Sequence, residues 1–131
     1  MTQTVTVIGL GYVGFPLACT IAKTGKYRVF GLSRNQNNIE KIISKITPDS
    51  KKFLKESHKK NLKITNKPDE CLPVSDFIII CVPTPVYKNF SPNLTPVINT
   101  SKIIAKYLRN GQTVILESSV NPGVCEEVIL P

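Results

Sequence analysis

Gly9, Gly11 and Gly14 stand in the spacing G-x-G-x-x-G within "VIGLGYVGFPLA" and carry the first chemistry legible in this 131-residue chain. A β-branched apolar run, "TVTVIGL", precedes them and a helical pattern follows. In that context the spacing marks a dinucleotide-binding turn rather than a ligand-free glycine turn. Gly9 permits the tight turn, Gly11 lets the backbone come close to a pyrophosphate, and Gly14 lets the helix pack on the strand. The helix start then offers free amides around Tyr12 and Val13 and the positive end of a dipole.

A second place of chemical interest is "GLSRN", Gly31 to Asn35. An Asp or Glu usually stands at the end of the second strand of such a unit and grips the adenosine ribose. Ser33 holds that place here, followed by Arg34. Serine can still hydrogen-bond a 2′-hydroxyl but repels nothing. An arginine nearby is how such folds accommodate the 2′-phosphate of NADP.

Metal and disulfide chemistry are not expected. Cys19, Cys71, Cys81 and Cys125 form no C-x-x-C pair, and the single histidine, His58, has no cysteine near it in sequence,. Cys19 and Cys81 lie in apolar runs and read as small buried hydrophobes. The formal net charge is +8, much of it in "SKKFLKESHKKNLKITNK". That segment reads as a solvated helix rather than a nucleic-acid surface, since only Phe53 is interleaved with its lysines. No apolar run is long enough for a membrane span and no basic leader is evident, so the chain is expected to be cytoplasmic and reduced.

Alternating patterns position these residues. Strands are expected at Thr4 to Leu10, at "YRVFGL", "LKIT" and "QTVILES", and at "DFIIICV", whose continuous apolar run suits a central parallel strand,. Helical spacing covers Val13 to Thr24, with Pro16 in the first turn and Gly25 as the C-cap. "NQNNIEKIISKI" and "DSKKFLKESHKKN" read as helices, and "KPDECLPVS" as a turn or one helical turn. "LTPVINTSKIIAKYLRNG" reads as a helix with Thr95 as N-cap, Pro96 at the first position and Gly111 at its close. "NPGVCEEVILP" starts another. The expected fold is α/β: a Rossmann-like doubly wound parallel sheet in three layers (αβα), strand order 3-2-1-4-5, as one domain over residues 1–131.

Three motifs in order, "GLGYVGFPLA", "CVPTP" and "ILESSVNPGVCEEVILP", closely resemble the N-terminal NAD-binding domain of the UDP-glucose/GDP-mannose dehydrogenase family of nucleotide-sugar 6-dehydrogenases. "CVPTP" followed by "SPNLTPV" most resembles the branch acting on UDP-N-acetylhexosamines. The resemblance implies oxidation of a sugar C6 alcohol to a carboxylate in two NAD-dependent hydride transfers, through a cysteine thiohemiacetal, for surface polysaccharide synthesis. It implies that Tyr12 and Val13 supply amides to the pyrophosphate. It places Val82, Pro83, Thr84 and Ser119 along the cofactor groove, and Glu117 and Ser118 near the nicotinamide. A UDP-sugar is the implied partner, a homodimer the implied assembly of the full-length protein, and no nucleic acid or membrane is involved. The family usually has Thr where Ser119 and Cys125 stand.

The family's substrate-binding lysine and asparagine and its nucleophilic cysteine match no residue here. No catalytic residue is therefore assigned, and Cys125 is not the nucleophile. The chain stops at Pro131 while a helix still carries Val128, Ile129 and Leu130, which reads as the front of a longer enzyme whose central and C-terminal domains are absent. A stand-alone dinucleotide-binding or redox-sensing module is the competing expectation. For the cofactor, the resemblance favours NAD while Ser33 and Arg34 favour NADP. The expectation is NAD, with discrimination within about tenfold, or about 1.4 kcal/mol.

Overall fold

The computed structural model describes residues 1–34 and 61–131. The two helices expected within residues 35–60 lie outside the described residues. Five strands run in chain order: β1 (Gln3–Ile8), β2 (Tyr27–Leu32), β3 (Leu62–Thr65), β4 (Phe77–Ile80) and β5 (Thr113–Leu116). They form one sheet in the order β3-β2-β1-β4-β5, with every pair parallel. This is the expected doubly wound order, and β1, flanked by β2 and β4, marks the switch point where ligands enter such sheets.

The register fixes the functional edge. Ile8 pairs with both Leu32 and Ile80, Leu32 with Thr65, and Ile80 with Leu116. All five strands therefore finish level. The residues immediately beyond the ends are Asn66, Ser33, Gly9, Cys81 and Glu117.

Side-chain alternation divides the core into the two layers that cover the sheet. Val5, Val7, Val29 and Ile79 face one side, where they meet Phe15, Ala18 and Ala22 of α1 (Gly14–Lys23). Ile8, Phe30, Leu32, Ile78 and Ile80 face the other. There they pack with Cys71 and Leu72 and with Ile104 of α3 (Thr95–Tyr107). Between β3 and β4 lies α2 (Pro68–Cys71), a single turn that runs into a 3₁₀ turn at Leu72–Val74. Of the two expectations for "KPDECLPVS", a turn or one helical turn, the helical one holds, with a 3₁₀ turn added.

Among the described residues no buried side-chain nitrogen or oxygen lacks a hydrogen-bond partner. The Thr6 and Ser75 hydroxyls lie 2.6 Å apart, and Ser75 Oγ donates to the Cys71 carbonyl at 2.8 Å. Ser75 has only one proton to give, so Thr6 is the donor in their shared bond. Gln112 Nε2 donates to the Leu72 and Ser75 carbonyls at 2.7 and 2.6 Å, which ties the start of β5 to the turn before β4.

Several expected boundaries shift. Gly25 adopts φ +69° one residue beyond the α1 C-cap Thr24, the left-handed exit expected there. Thr95 is not the N-cap of α3: it is the first helical residue, the cap position is Leu94, and Asn93 Oδ1 accepts the Thr95 amide at 3.0 Å. The polar group needed by the helix start thus comes from two residues earlier. α3 ends at Tyr107 rather than at Gly111, because Leu108 is already extended. The last helix is a single π-helical turn, Cys125–Ile129, with Val124 at its cap position and no side-chain cap. Cys81 is half-buried rather than buried.

Candidate functional site

The level carboxyl edge brings the glycine loop, the end of β2 and the turn after β4 together. Gly9 leaves β1 with φ +91° and its amide bonds the Leu32 carbonyl at 3.1 Å. A Cβ built on Gly9 would lie 2.7 Å from the Cys81 carbonyl oxygen. A Cβ on Gly14 would run into the carbonyl oxygen of Gly9 and come within 3.0 Å of Cys81 Cβ. These two glycines are required by the fold: one for the turn, the other to seat α1 against it.

Gly11 differs. A Cβ there meets nothing within 4 Å. Among the described residues no packing explains its lack of a side chain, and the space at its Cβ position is open. The Phe15 and Leu17 amides bond the carbonyls of Gly11 and Val13, so the helix ladder begins at once. Among the described residues no backbone carbonyl accepts the amides of Tyr12 or Val13. The side chains of both are exposed. Open space, free amides and the positive end of a ten-residue helix therefore coincide,.

Beside this loop lies a cavity of ≈ 280 Å³. Five of the residues expected at the site line it: Gly9, Ser33, Arg34, Val82 and Pro83. Gly11, Tyr12, Val13, Gly14, Thr84, Glu117, Ser118 and Ser119 lie off its walls. Sequence reasoning missed the other side of the cavity, formed by Asn66 and Pro68 after β3 and by Pro96, Thr100 and Ile103 of α3. The last three are spaced i, i+4, i+7, one face of a helix. The Ser33 amide bonds the Thr65 carbonyl at 3.0 Å, which sets Ser33 beside Asn66.

Thr84 and Ser119 meet each other. Thr84 Oγ1 donates to the Ser119 carbonyl at 2.8 Å, so its proton is already committed within the chain. Ser118 Oγ donates to the Val82 carbonyl at 2.7 Å. The Glu117 and Ser118 amides both reach the Ile80 carbonyl, at 2.9 and 3.1 Å. Two hydroxyl clasps thus hold the turn after β4 to the turn after β5. Glu117 is exposed.

The thiols of the core are unreactive in kind. Burial pushes the Cys19 thiol up to about 11 against the pull of Lys23, and burial with the charge of Glu117 pushes Cys81 up to about 11. Burial also raises Cys71. Cys125 is exposed, and all four cysteines are free. Among the described residues no cluster of His, Cys, Asp and Glu is arranged to hold a metal ion, and no helix is long and apolar enough to cross a membrane.

Comparison with known proteins decides the family. The profile of the UDP-glucose/GDP-mannose dehydrogenase family, NAD binding domain, matches residues 3–131. The chain belongs to this family. It is 40% identical over 131 residues to a UDP-N-acetyl-D-mannosamine dehydrogenase of Campylobacter jejuni, covering 95% of this chain and 31% of that protein. It is 39% identical to a UDP-N-acetyl-D-glucosamine 6-dehydrogenase of Pseudomonas aeruginosa, with 97% and 30% covered. A solved UDP-D-ManNAc dehydrogenase from Pyrococcus horikoshii superposes with a TM-score of 0.86 at 34% identity, covering 96% of this chain and 31% of that one. The chain spans about 30% of the length of the curated relatives it matches. The matched part of the family is its NAD-binding domain.

Proposed function

We propose that the chain is the cofactor-binding part of a nucleotide-sugar 6-dehydrogenase that oxidises the C6 alcohol of a UDP-N-acetylhexosamine to a uronate for surface polysaccharide synthesis. The observation that carries this reading is the contrast within the glycine loop. Gly9 and Gly14 are demanded by neighbouring atoms, while Gly11 faces open space at a helix N-terminus. Only a ligand close to the backbone gives Gly11 a reason.

In this reading the Tyr12 and Val13 amides hold the cofactor phosphates. Ser33 and Arg34 meet the adenosine ribose, with Val82 and Pro83 as the facing wall. Thr84 and Ser119, clasped to one another, shape the groove beyond β4, with Glu117 and Ser118 toward the nicotinamide. Bound NAD supplies the hydride acceptor. NAD is the cofactor of this reading, and NADP is admitted at the adenosine end. The substrate-binding residues and the nucleophilic cysteine belong to central and C-terminal domains not represented in residues 1–131, the UDP-sugar is the partner, and the full-length enzyme is a homodimer. Four free cysteines, three with raised pKa, are at home in a reduced cytoplasm,.

The test is direct. Calorimetry should register one dinucleotide site on the 131-residue chain. Incubation with NAD and UDP-N-acetylglucosamine or UDP-N-acetylmannosamine should give no reduced nicotinamide. Turnover by this chain alone would overturn the assignment of the chemistry to other domains.

A further inference from the structure

The walls of the cavity beside the glycine loop have an unusual charge composition for an NAD site. Of the twelve described residues that line it, Arg34 alone is charged, and none is Asp or Glu. The polar side chains toward β2 and β3 are the Ser33 hydroxyl and the Asn66 carboxamide. Both stand immediately beyond level strand ends, and Ser33 holds the place at the end of β2 where a ribose-gripping acid would be built,.

The acid that follows β3 in α2, Glu70, is already occupied. Glu70 Oε2 lies 3.0 Å from Lys63 Nζ and 3.2 Å from Thr65 Oγ1, and Glu70 Oε1 lies 3.5 Å from Lys67 Nζ. Two ammonium groups share that carboxylate, and with Asp69 of α2 the rim of β3 carries no net charge. A dianionic phosphate entering the cavity thus meets Arg34, a carboxamide and a hydroxyl, and no carboxylate among the described residues that line it.

Resting on the reading of this groove as a dinucleotide site, we infer that its adenosine end is a 2′-phosphate-tolerant pocket, with Arg34 and Asn66 as the residues that set cofactor specificity. Rejection of NADP in this fold comes from charge repulsion by a carboxylate, and specificity needs that repulsive element as much as any attractive one. Here the repulsive element is missing, and a guanidinium suited to bidentate phosphate contact stands in its vicinity. Asn66 adds amide donors, which serve a phosphate as readily as a hydroxyl.

Dissociation constants for NAD and NADP, measured by calorimetry on the 131-residue chain and three variants, test this. The parent should bind the two within about tenfold, equivalent to about 1.4 kcal/mol. Arg34→Ala should weaken NADP by about tenfold or more and NAD by less than about threefold. Asn66→Asp, nearly isosteric, and Ser33→Asp should each restore a preference for NAD of about a hundredfold. A parent that prefers NAD by more than tenfold, or an Arg34→Ala variant that weakens both cofactors alike, overturns the inference while leaving the groove intact. A folded parent that binds neither cofactor overturns the groove itself, and this inference with it.

Discussion

Replacing Gly11 and Gly14 separately should divide binding from folding. Gly14→Ala puts a methyl group against the Gly9 carbonyl oxygen and Cys81 Cβ. Neither neighbour is the free end of a flexible side chain, so the α1 backbone has to move. Overpacking of this kind costs about 1–3 kcal/mol. At about 2.1 cal/mol/K per residue, a chain of 131 residues loses about 4 °C of Tm per kcal/mol,. Gly14→Ala should therefore melt about 4–12 °C below the parent. Gly11→Val places its side chain where nothing lies within 4 Å of the Cβ. Its stability should stay within about 0.5 kcal/mol of the parent, or about 2 °C. The same side chain fills the space required by a pyrophosphate, so NAD affinity should fall by more than about a hundredfold. Scanning calorimetry gives the first quantity and titration calorimetry the second. A Gly11→Val chain that binds NAD as well as the parent, or a Gly14→Ala chain that melts with it, would refute the division of labour.

Gln112→Ala removes donors from the Leu72 and Ser75 carbonyls and should lower stability by about 1–3 kcal/mol in urea denaturation, without change in NAD affinity,. Thr6→Val deletes the donor to Ser75 Oγ and should cost about 1 kcal/mol by the same measurement,. With a disulfide reagent near neutral pH, the exposed Cys125 should label first, and Cys125→Ser should abolish the fast phase while Cys19 and Cys81 stay slow,. The folded chain keeps protons on Cys19 and Cys81 that the unfolded chain releases near 9. The stability tied to those protons is complete below 9 and should be lost as pH rises from 9 toward about 11, read as a falling urea midpoint,.

The sheet was legible because its strands are short apolar runs bounded by glycine, proline and polar turns, and a buried parallel strand such as "FIII" has few alternatives,. The glycine loop was legible because spacing and context coincide. Helix ends were less so. Asn93, one residue before the cap position Leu94, accepts the Thr95 amide, and the Thr-Pro pair two residues later gives the sequence signal of a cap instead. The far wall of the cavity was not read at all, although Asn66 follows from strand register once Leu32 and Thr65 are known to pair. Pro96, Thr100 and Ile103 look from sequence like any buried helix face. That they border a cavity depends on how α3 sits over β4, which periodicity does not encode. Thr84 shows the reverse case. It stands where a groove residue was expected, yet its proton goes to the Ser119 carbonyl, a contact across 35 residues that no local pattern announces.

The central claim, that NAD lies along the level carboxyl edge of this sheet over the glycine loop, is tested most directly by following backbone amide resonances of the isotope-labelled chain during NAD titration. The account predicts saturable shifts at Gly11, Tyr12, Val13, Ser33, Arg34, Val82 and Thr84, with Thr113 and Val114 at the opposite end of β5 unmoved. Shifts confined to other surfaces, or none in a folded chain at saturating NAD, would contradict it.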